Sequence, residues 1–255
     1  MKCNEELDKF CGREIARAKA FENIWSNEIN EVFADVAFYY DRVNRAASLG
    51  MIDWFRKSFV STIELQPQQR VLDVCAGTNA VGIALLKKQP GVQVFAVDRS
   101  PEMQSVGQEQ AKAHGFHIDS TITDVHTLPF PDNHFDVVTL QFASRHLRLI
   151  EVIKEVKRVL KPGGHFYHSD MLRPGNKVLE KAYFAYLTGC VSVVAWLFKS
   201  NEYSLGCKKY FVDALKLFYS PEEMTQLLFD QGFTSVTSKS LLGGVVGSHK
   251  AVSAT

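Results

Sequence analysis

The chain has 255 residues, enough for one large domain or for a core with a cap. Hydrophobic residues make up 46% and charged residues 22%, which is ordinary for a globular protein. The formal net charge of +1 provides no electrostatic basis for binding nucleic acid, so we expect no nucleic-acid partner.

The N-terminal region is charged throughout and lacks the apolar stretch of a signal peptide. Residues 13–65 follow a mostly helical pattern, and we expect residues 1–65 to form a helical N-terminal cap. The cysteines form no CxxC pair, which predicts reduced thiols in a cytoplasmic protein. They are Cys3, Cys11, Cys75, Cys190 and Cys207.

From residue 70 short apolar runs alternate with helical stretches, which is typical of parallel βα units. The pattern predicts strands at RVLDVC, VQVFAVD, STITDV, FDVVTLQF and HFYHSDM, which are residues 70–75, 92–98, 120–125, 135–142 and 165–171. It predicts helices over NAVGIALLKKQ, after Ser100 and Pro101, and over LRLIEVIKEVKRVL, which KPGG ends. These units predict an α/β fold with a doubly wound sheet.

Residues 174–219 interrupt this alternation and predict an inserted helical cap of one or two helices. The run AYFAYLTGCVSVVAWLF, residues 182–198, is uncharged over 17 residues, the lower limit for spanning a bilayer. It contains Thr188 and Gly189, and we expect a buried or interfacial helix rather than a membrane span.

The C-terminal part has two further local signals. SPEEMTQLLFDQGF predicts a helix with a capping box formed by Ser220 and Glu223. FTSVTSKSLL and VVGSHKAV, which flank Gly243 and Gly244, predict a terminal hairpin.

The loop after the first strand, in VLDVCAGTNAVGIALL, determines the kind of cofactor. A dinucleotide site needs glycines spaced G-x-G-x-x-G, and Gly77 and Gly82 do not fit that spacing. S-adenosylmethionine (SAM) has no phosphate, so its loop needs only a close approach to the backbone. Asn79 stands where glycine is expected, and asparagine enters the left-handed region readily. A decayed loop that binds nothing is the second interpretation.

Three acids lie at the ends of three successive predicted strands, where ligands of doubly wound sheets bind. They are Asp73, Asp98 and Asp124. Asp73 could reach the ammonium group of SAM or order a water there. Asp98 could accept both ribose hydroxyls, and Asp124 could meet the adenine amino group. We therefore predict a SAM site at this edge of the sheet.

The chain carries several motifs that are found together in one protein family: VFADVAFYYDRVNRAASLGMIDWFRK, LPFPDNHFDVV, SRH, RVLKPGG and GGVVGSHKA. The first of them is the most specific. Together they resemble the SAM-dependent C-methyltransferases of ubiquinone and menaquinone biosynthesis (the UbiE/MenG type), over nearly the whole chain from about residue 30. The resemblance implies a Rossmann-like class I methyltransferase domain over residues 66–255, with the helical insertion at about 174–219 and a C-terminal β-hairpin. It also implies methylation of a ring carbon of a prenylated quinol.

The resemblance implies a set of cofactor-binding residues in the loop and at the strand ends: Asp73, Cys75, Ala76, Gly77, Asn79, Asp98, Arg99, Met103, Asp124, Val125 and Gln141. The chain departs from the family, whose loop usually reads G-G-T-G-D where this chain has AGTNA.

On the acceptor side the resemblance points to Tyr40, Asp124 and Arg145, which match family positions that line the ring site or its water network. We predict catalytic roles for Tyr40, Arg145 and His146. Arg145 could stabilise a phenolate, and because arginine keeps its proton it could act as a base only through water. His146, where the family usually has asparagine, has the best intrinsic pKa for proton transfer. Structural roles stay open: Arg145 as a salt-bridge partner, His146 as a structural histidine and Tyr40 as packing.

His165 and His168 would point to opposite faces of a strand and cannot share an ion, so we predict no metal. The expected partner is a lipid-soluble small molecule, with a peripheral membrane contact and a homodimer left open. Alternatives are a relative that uses SAM for another ring substitution and a non-catalytic accessory protein of quinone biosynthesis. The glycine spacing disfavours an NAD(P) oxidoreductase.

Overall fold

The computed structural model describes residues 10–197 and 210–254. Cys3, Cys207, the start of the N-terminal region and Phe198 lie outside the described residues, so the predictions made for them are not addressed. Four helices precede the sheet: α1 (Cys11–Asn23), α2 (Ile29–Val36), α3 (Tyr40–Ala47) and α4 (Met51–Thr62). They confirm the helical pattern of this region, while the domain boundary at residue 65 stays a prediction.

The sheet has seven strands in the order β3-β2-β1-β4-β5-β7-β6. The strands are β1 (Arg70–Val74), β2 (Gln93–Asp98), β3 (Asp119–Ile122), β4 (Phe135–Gln141), β5 (Leu160–Met171), β6 (Phe233–Leu241) and β7 (Val246–Ser253). β1 to β5 are parallel, and β7 runs antiparallel to β5 and β6. The strand order reverses between β1 and β4, which is where such sheets bind ligands. The doubly wound sheet with a terminal hairpin is confirmed.

Helices cover both faces of the sheet: α5 (Ala80–Lys88), α6 (Pro101–Ala113), α7 (Leu149–Val159) and α10 (Pro221–Asp230). Successive residues of a strand point to opposite faces. Val71 accordingly packs with the core of α4 and α5, whereas Leu72 packs with the core of α7 and α10. Both predicted caps are present, since Ser100 Oγ accepts from the Met103 amide (3.1 Å) and Ser220 forms its capping box with Glu223.

Two strands differ in length from the prediction. β5 begins at Leu160 rather than His165, because a bulge after Phe135 accommodates the four residues from Lys161 to Gly164. β3 ends at Ile122 rather than 125, because it pairs only with β2 at the sheet edge. Asp124 therefore lies in the loop beyond β3.

The predicted insertion contains α8 (Lys177–Leu197) and α9, whose described residues are 210–216. Tyr183 and Leu187 of α8 pack against Val212 and Leu215. Within the described ranges no helix is long and apolar enough to cross a membrane.

The expectation of reduced thiols is wrong at Cys11, which is disulfide-bonded. The sequence analysis considered only CxxC spacing and the absence of a signal peptide, and neither reports which cysteines the fold brings together. Cys75 is a free thiol.

Candidate active site

The loop between β1 and α5 has an unusual backbone. Cys75 (φ 55°), Gly77 (φ 54°) and Asn79 (φ 57°) all lie in the left-handed region. The expectation for Asn79 is confirmed, whereas the same conformation at Cys75 was not predicted. The turns direct the Gly77 amide at Asp98, whose Oδ2 accepts its hydrogen at 2.8 Å.

Two residues of α6 hold this loop, and the sequence analysis missed both. Gln104 Nε2 donates to the Gly77 carbonyl (2.9 Å) and to Asn79 Oδ1 (3.1 Å). Gly107 leaves room for the Asn79 side chain, because a Cβ at position 107 would lie 2.8 Å from Asn79 Nδ2. The available signal was their spacing of three, which places both on one face of the helix.

Asp98 is partly buried, and both of its oxygens accept backbone hydrogens, one from Gly77 and one from Ser100 (2.9 Å). Burial raises the pKa of Asp98. Asp124 contacts the backbone amide (2.9 Å) and ring Nδ1 (2.5 Å) of His126, both through Oδ1. Burial alone would raise the pKa of Asp124, but the His126 contacts outweigh it and the pKa is lowered.

Asp73 is the deepest of the three acids, with 2% of its surface exposed. Its Oδ1 accepts from Thr139 Oγ1 at 2.7 Å, while Oδ2 has no hydrogen-bond partner of good geometry among the described residues. Burial raises the pKa of Asp73 to about 7, although the Thr139 hydrogen bond opposes the shift. A large pKa shift of this kind is typical of functional sites.

Other predicted cofactor residues vary in placement. The Met103 methyl group lies 3.3 Å from the position of a Cβ on Gly77, so it packs on the loop. Arg99 Nη1 donates to the Trp25 carbonyl (2.8 Å), which directs its guanidinium at the N-terminal helices. The Ala76 amide donates to the carbonyl of Val97 (3.1 Å), and Val125 is fully buried in the core.

Buried polar atoms normally have hydrogen-bond partners. Near the loop three such atoms have none: Asp73 Oδ2, Asn79 Nδ2 and Gln141 Nε2. A ligand with an ammonium, a carboxylate and hydroxyls can partner carboxylate and amide groups of this kind, so the residues fit SAM. Within the described residues no group of three acids, histidines or cysteines is arranged to hold a metal.

The N-terminal helices contact the loop between β1 and α5, which we name the cofactor loop. Asp41 of α3 accepts from Thr78 Oγ1 (3.2 Å) and, through its other oxygen, from Gln110 Nε2 (3.1 Å). The preceding residue, Tyr40, hydrogen-bonds Asn44, and burial raises the pKa of its hydroxyl although the positive charge of Arg145 opposes the shift. Tyr40 and Arg145 therefore share one electrostatic environment.

Arg145 lies in a 3-10 turn, Ser144–His146, after β4. Its Nη1 contacts Asp170 Oδ1 (2.6 Å) and the Phe142 carbonyl (2.9 Å), and its guanidinium lies 5.0 Å from the ring centre of Phe211. The ion pair supports the salt-bridge interpretation. The effect of its charge on the Tyr40 hydroxyl is compatible with the catalytic interpretation, since a single guanidinium can serve both roles.

His146 hydrogen-bonds the Tyr210 hydroxyl through Nδ1 at 2.5 Å, and that hydroxyl also accepts from Trp25 Nε1 (2.8 Å). Burial and the charges of Arg145 and Arg17 hold the pKa of His146 well below its usual range. The imidazole is therefore neutral.

Behind Arg145 a buried chain runs from Asp170 Oδ2 through Ser144 Oγ (2.7 Å), His168 Nε2 (2.7 Å) and His249 (3.3 Å between Nδ1 atoms) to the Pro221 carbonyl (3.0 Å). The four contacts need four hydrogens, but an ionised carboxylate, one hydroxyl and two neutral imidazoles supply three. Burial holds both imidazoles neutral, since it lowers the pKa of His168 well below its usual range and that of His249 to about 4. One of these four contacts therefore lacks a hydrogen at neutral pH.

Arg17 and Glu14 of α1 also support the turn, and the sequence analysis missed them. Arg17 is fully buried, pairs with Glu14, and donates to the Arg145 carbonyl (3.1 Å). Glu14 Oε2 accepts from the Leu149 amide (2.8 Å) at the start of α7. No sequence signal distinguishes this pair from an ordinary i, i+3 surface pair.

The model of the ubiE/COQ5 methyltransferase family matches residues 21–253. The "Ubiquinone/menaquinone biosynthesis C-methyltransferase UbiE" of Pseudomonas putida is 30% identical over 231 residues, 89% of each chain. Its counterpart from Pseudomonas syringae pv. tomato is 30% identical over 238 residues, again covering 89% of each.

Solved structures match at lower identity. A SAM dependent methyltransferase from Aquifex aeolicus has a TM-score of 0.59 and 18% identity, covering 84% of this chain and 97% of that one. A Thermotoga maritima SAM-dependent methyltransferase, described as a possible histamine N-methyltransferase, has a TM-score of 0.60 and 16% identity, covering 88% and 98%. At such identities these structures establish the fold alone.

Proposed function

The chain belongs to the ubiE/COQ5 methyltransferase family, and from this premise we propose that it methylates a ring carbon of a prenylated quinol. The chain is a SAM-dependent methyltransferase, and SAM is its cofactor. The quinol is what we propose. Its support is that the positive charge of Arg145 acts on the Tyr40 hydroxyl, at the start of the helix whose Asp41 accepts a hydrogen bond from Thr78 of the loop after β1.

Carbon methylation needs an electron-rich ring, and loss of a hydroxyl proton makes the ring carbon more nucleophilic. When bound, SAM supplies a methyl group on a positively charged sulfonium. The guanidinium of Arg145 would stabilise the developing phenolate. The Tyr40 hydroxyl, whose pKa burial raises, would stay protonated and donate a hydrogen bond to the same oxygen.

A base must also remove the hydroxyl proton of the quinol. Arginine keeps its proton, and the Nδ1 atom of His146 is already engaged by the Tyr210 hydroxyl. We therefore propose that the proton leaves through water and that His146 acts beside the ring as a neutral imidazole. On this proposal the acids Asp73, Asp98 and Asp124 serve the cofactor.

A prenyl tail would bring the substrate from a membrane, which makes a peripheral membrane contact part of the proposal. Its support is a set of exposed apolar side chains on the N-terminal helices and their connections: Phe38, Tyr39, Leu49 and Trp54. Such a set of aromatic and aliphatic side chains suits the interface of a bilayer. The cytoplasmic location and a homodimer stay predictions.

The test is incubation with methyl-labelled SAM and short-tailed prenyl benzoquinols and naphthoquinols, followed by mass and NMR analysis of the product. We expect a product heavier by one methylene unit, with the label on a ring carbon. A label on an oxygen of the quinol would favour the alternative in which the protein uses SAM for a different substitution of the ring. No transfer to either quinol would refute the substrate class.

The same assay tests Arg145. Arg145→Lys keeps a positive charge opposite Asp170, so we expect the melting temperature and the affinity for S-adenosylhomocysteine (SAH) to hold. Turnover should fall by about 10²-fold through loss of a donor to the developing oxyanion. If turnover persists while the melting temperature falls, Arg145 is only a salt-bridge partner.

A further inference from the structure

One buried hydroxyl of the described residues has no explanation in the fold. Apart from arginine Nε atoms, the buried side-chain polar atoms without a partner among these residues are Asp73 Oδ2, Asn79 Nδ2, Gln141 Nε2 and Tyr183 Oη. The first three lie in the cofactor loop or in the strands that end beside it. Tyr183 lies on α8, more than 40 residues further along the chain than Gln141. Since a buried hydroxyl without a partner costs stability, its position calls for a ligand.

The surroundings of Tyr183 are those of an aromatic-ring site. The residue is 7% exposed and lies among apolar side chains of β5, α8, α9 and the C-terminal hairpin: Met171, Phe184, Leu187, Phe211, Val212, Leu215 and Val245. Burial raises the pKa of its hydroxyl, while the charges of Arg145 and Asp170 act on it with opposite signs. Tyr183 thus combines apolar walls with the positive charge of Arg145, which also acts on the Tyr40 hydroxyl.

We propose that Tyr183 is a further substrate-contacting residue, whose hydroxyl donates a hydrogen bond to a ring oxygen of the methyl acceptor. This proposal rests on the proposed function and deepens it, because it makes α8 part of the acceptor site. The hydroxyl stays protonated in its buried position, so it is a donor rather than an acceptor of the substrate proton. Its hydrogen bond strengthens as charge develops on the substrate oxygen.

The experiment compares wild type with Tyr183→Phe, which removes only the hydroxyl. Tyr186→Phe is the matched control, since Tyr186 lies one turn away on α8 and is 47% exposed. With the protein saturated by SAH, fluorescence and calorimetry measure the affinities for 1-naphthol and for naphthalene, which differ by one hydroxyl. We expect Tyr183→Phe to reduce the preference for 1-naphthol about three- to tenfold, with Tyr186→Phe like wild type.

Folding and turnover complete the test. Tyr183→Phe should keep its SAH affinity and keep or raise its melting temperature, because it loses no hydrogen bond to any described residue and removes an unpartnered buried hydroxyl. An unchanged naphthol preference in this folded variant, or no naphthol binding by wild type, overturns the inference. If wild type shows the Tyr183-dependent preference but methylates no quinol, the proposed function fails and the inference stands. If wild type methylates a quinol and Tyr183→Phe matches it in kcat and KM, only the inference fails.

Discussion

Asp73 is a carboxylate that water hardly reaches, and its protonation affects stability. Burial raises its pKa to about 7, whereas an aspartate in an unfolded chain titrates near pH ~3.9. Between these values the folded protein binds more protons at this group than the unfolded chain does. Stability from this group is therefore present in acid and is lost as pH rises toward 7.

We expect Asp73→Asn not to show this loss of stability with rising pH, because an asparagine side chain does not titrate. Without cofactor, the free energy of unfolding of wild type should fall relative to the variant by on the order of 2–4 kcal/mol from about pH 4.5 to about pH 7.5. Urea denaturation at several pH values measures both proteins.

Asp73→Asn is needed as a reference because the contribution of His249 to stability changes with pH in the opposite direction. Burial lowers the pKa of His249 to about 4, so stability from that group is lost as pH falls through this range. The effect is common to both proteins and cancels in the difference. Parallel stability curves for wild type and Asp73→Asn would contradict the prediction.

At the scale of elements, α1 connects the N-terminal helices to the turn Ser144–His146. The Arg17 guanidinium donates to the carbonyls of Ser144 (3.4 Å), Arg145 (3.1 Å) and Leu147 (3.2 Å). Glu14, its partner, also accepts from the Tyr219 hydroxyl (2.8 Å). A buried arginine that binds three carbonyls of one turn positions that turn, and lysine cannot reproduce its planar fork.

Arg17→Lys should therefore lower the free energy of unfolding by about 1–3 kcal/mol and reduce turnover more than SAH affinity. Arg13→Lys is the control on the same helix, because Arg13 forms a partly exposed pair with Glu223. It should cost less than about 1 kcal/mol. Calorimetry and single-turnover rates measure the two effects, and equal losses in both variants would argue against a positioning role.

At the scale of the whole molecule, cofactor binding should stabilise the fold, because only the folded sheet brings the loop and strand ends together. At about 100 times its dissociation constant, SAH should add about 2.7 kcal/mol and raise the melting temperature by ~5–10 °C. Asp98→Ala should weaken binding by roughly 1–3 kcal/mol through lost charge-assisted hydrogen bonds, and so keep only about a tenth to two thirds of this shift.

Asp132→Ala is the control for this experiment, since Asp132 is an exposed surface acid paired with Arg158. It should keep the full shift seen in wild type. Differential scanning with and without SAH gives all three values. An undiminished shift in Asp98→Ala would remove Asp98 from the cofactor site, and no shift in wild type at millimolar SAH would count against cofactor binding.

Much of the fold was determined by the sequence on its own. Strand positions, the Ser100 cap, the Ser220 capping box and the left-handed Asn79 follow from periodicity and local backbone preferences, which act over a few residues. The placement of Asp73 and Asp98 at one edge follows from the same pattern, because carboxyl ends of parallel strands meet there.

The tertiary structure alone decided how the side chains of the site are paired and charged. Arg145 meets Asp170 across 25 residues, Arg17 meets the Arg145 carbonyl across 128, and the Tyr183 hydroxyl has no partner in the described part of the chain. Such pairings depend on which elements pack together, and pKa shifts depend on how deeply each group is then removed from water. Neither quantity exists in a local stretch of sequence, so the left-handed backbone of Asn79 could be predicted, whereas the side-chain partners of Arg145 could not.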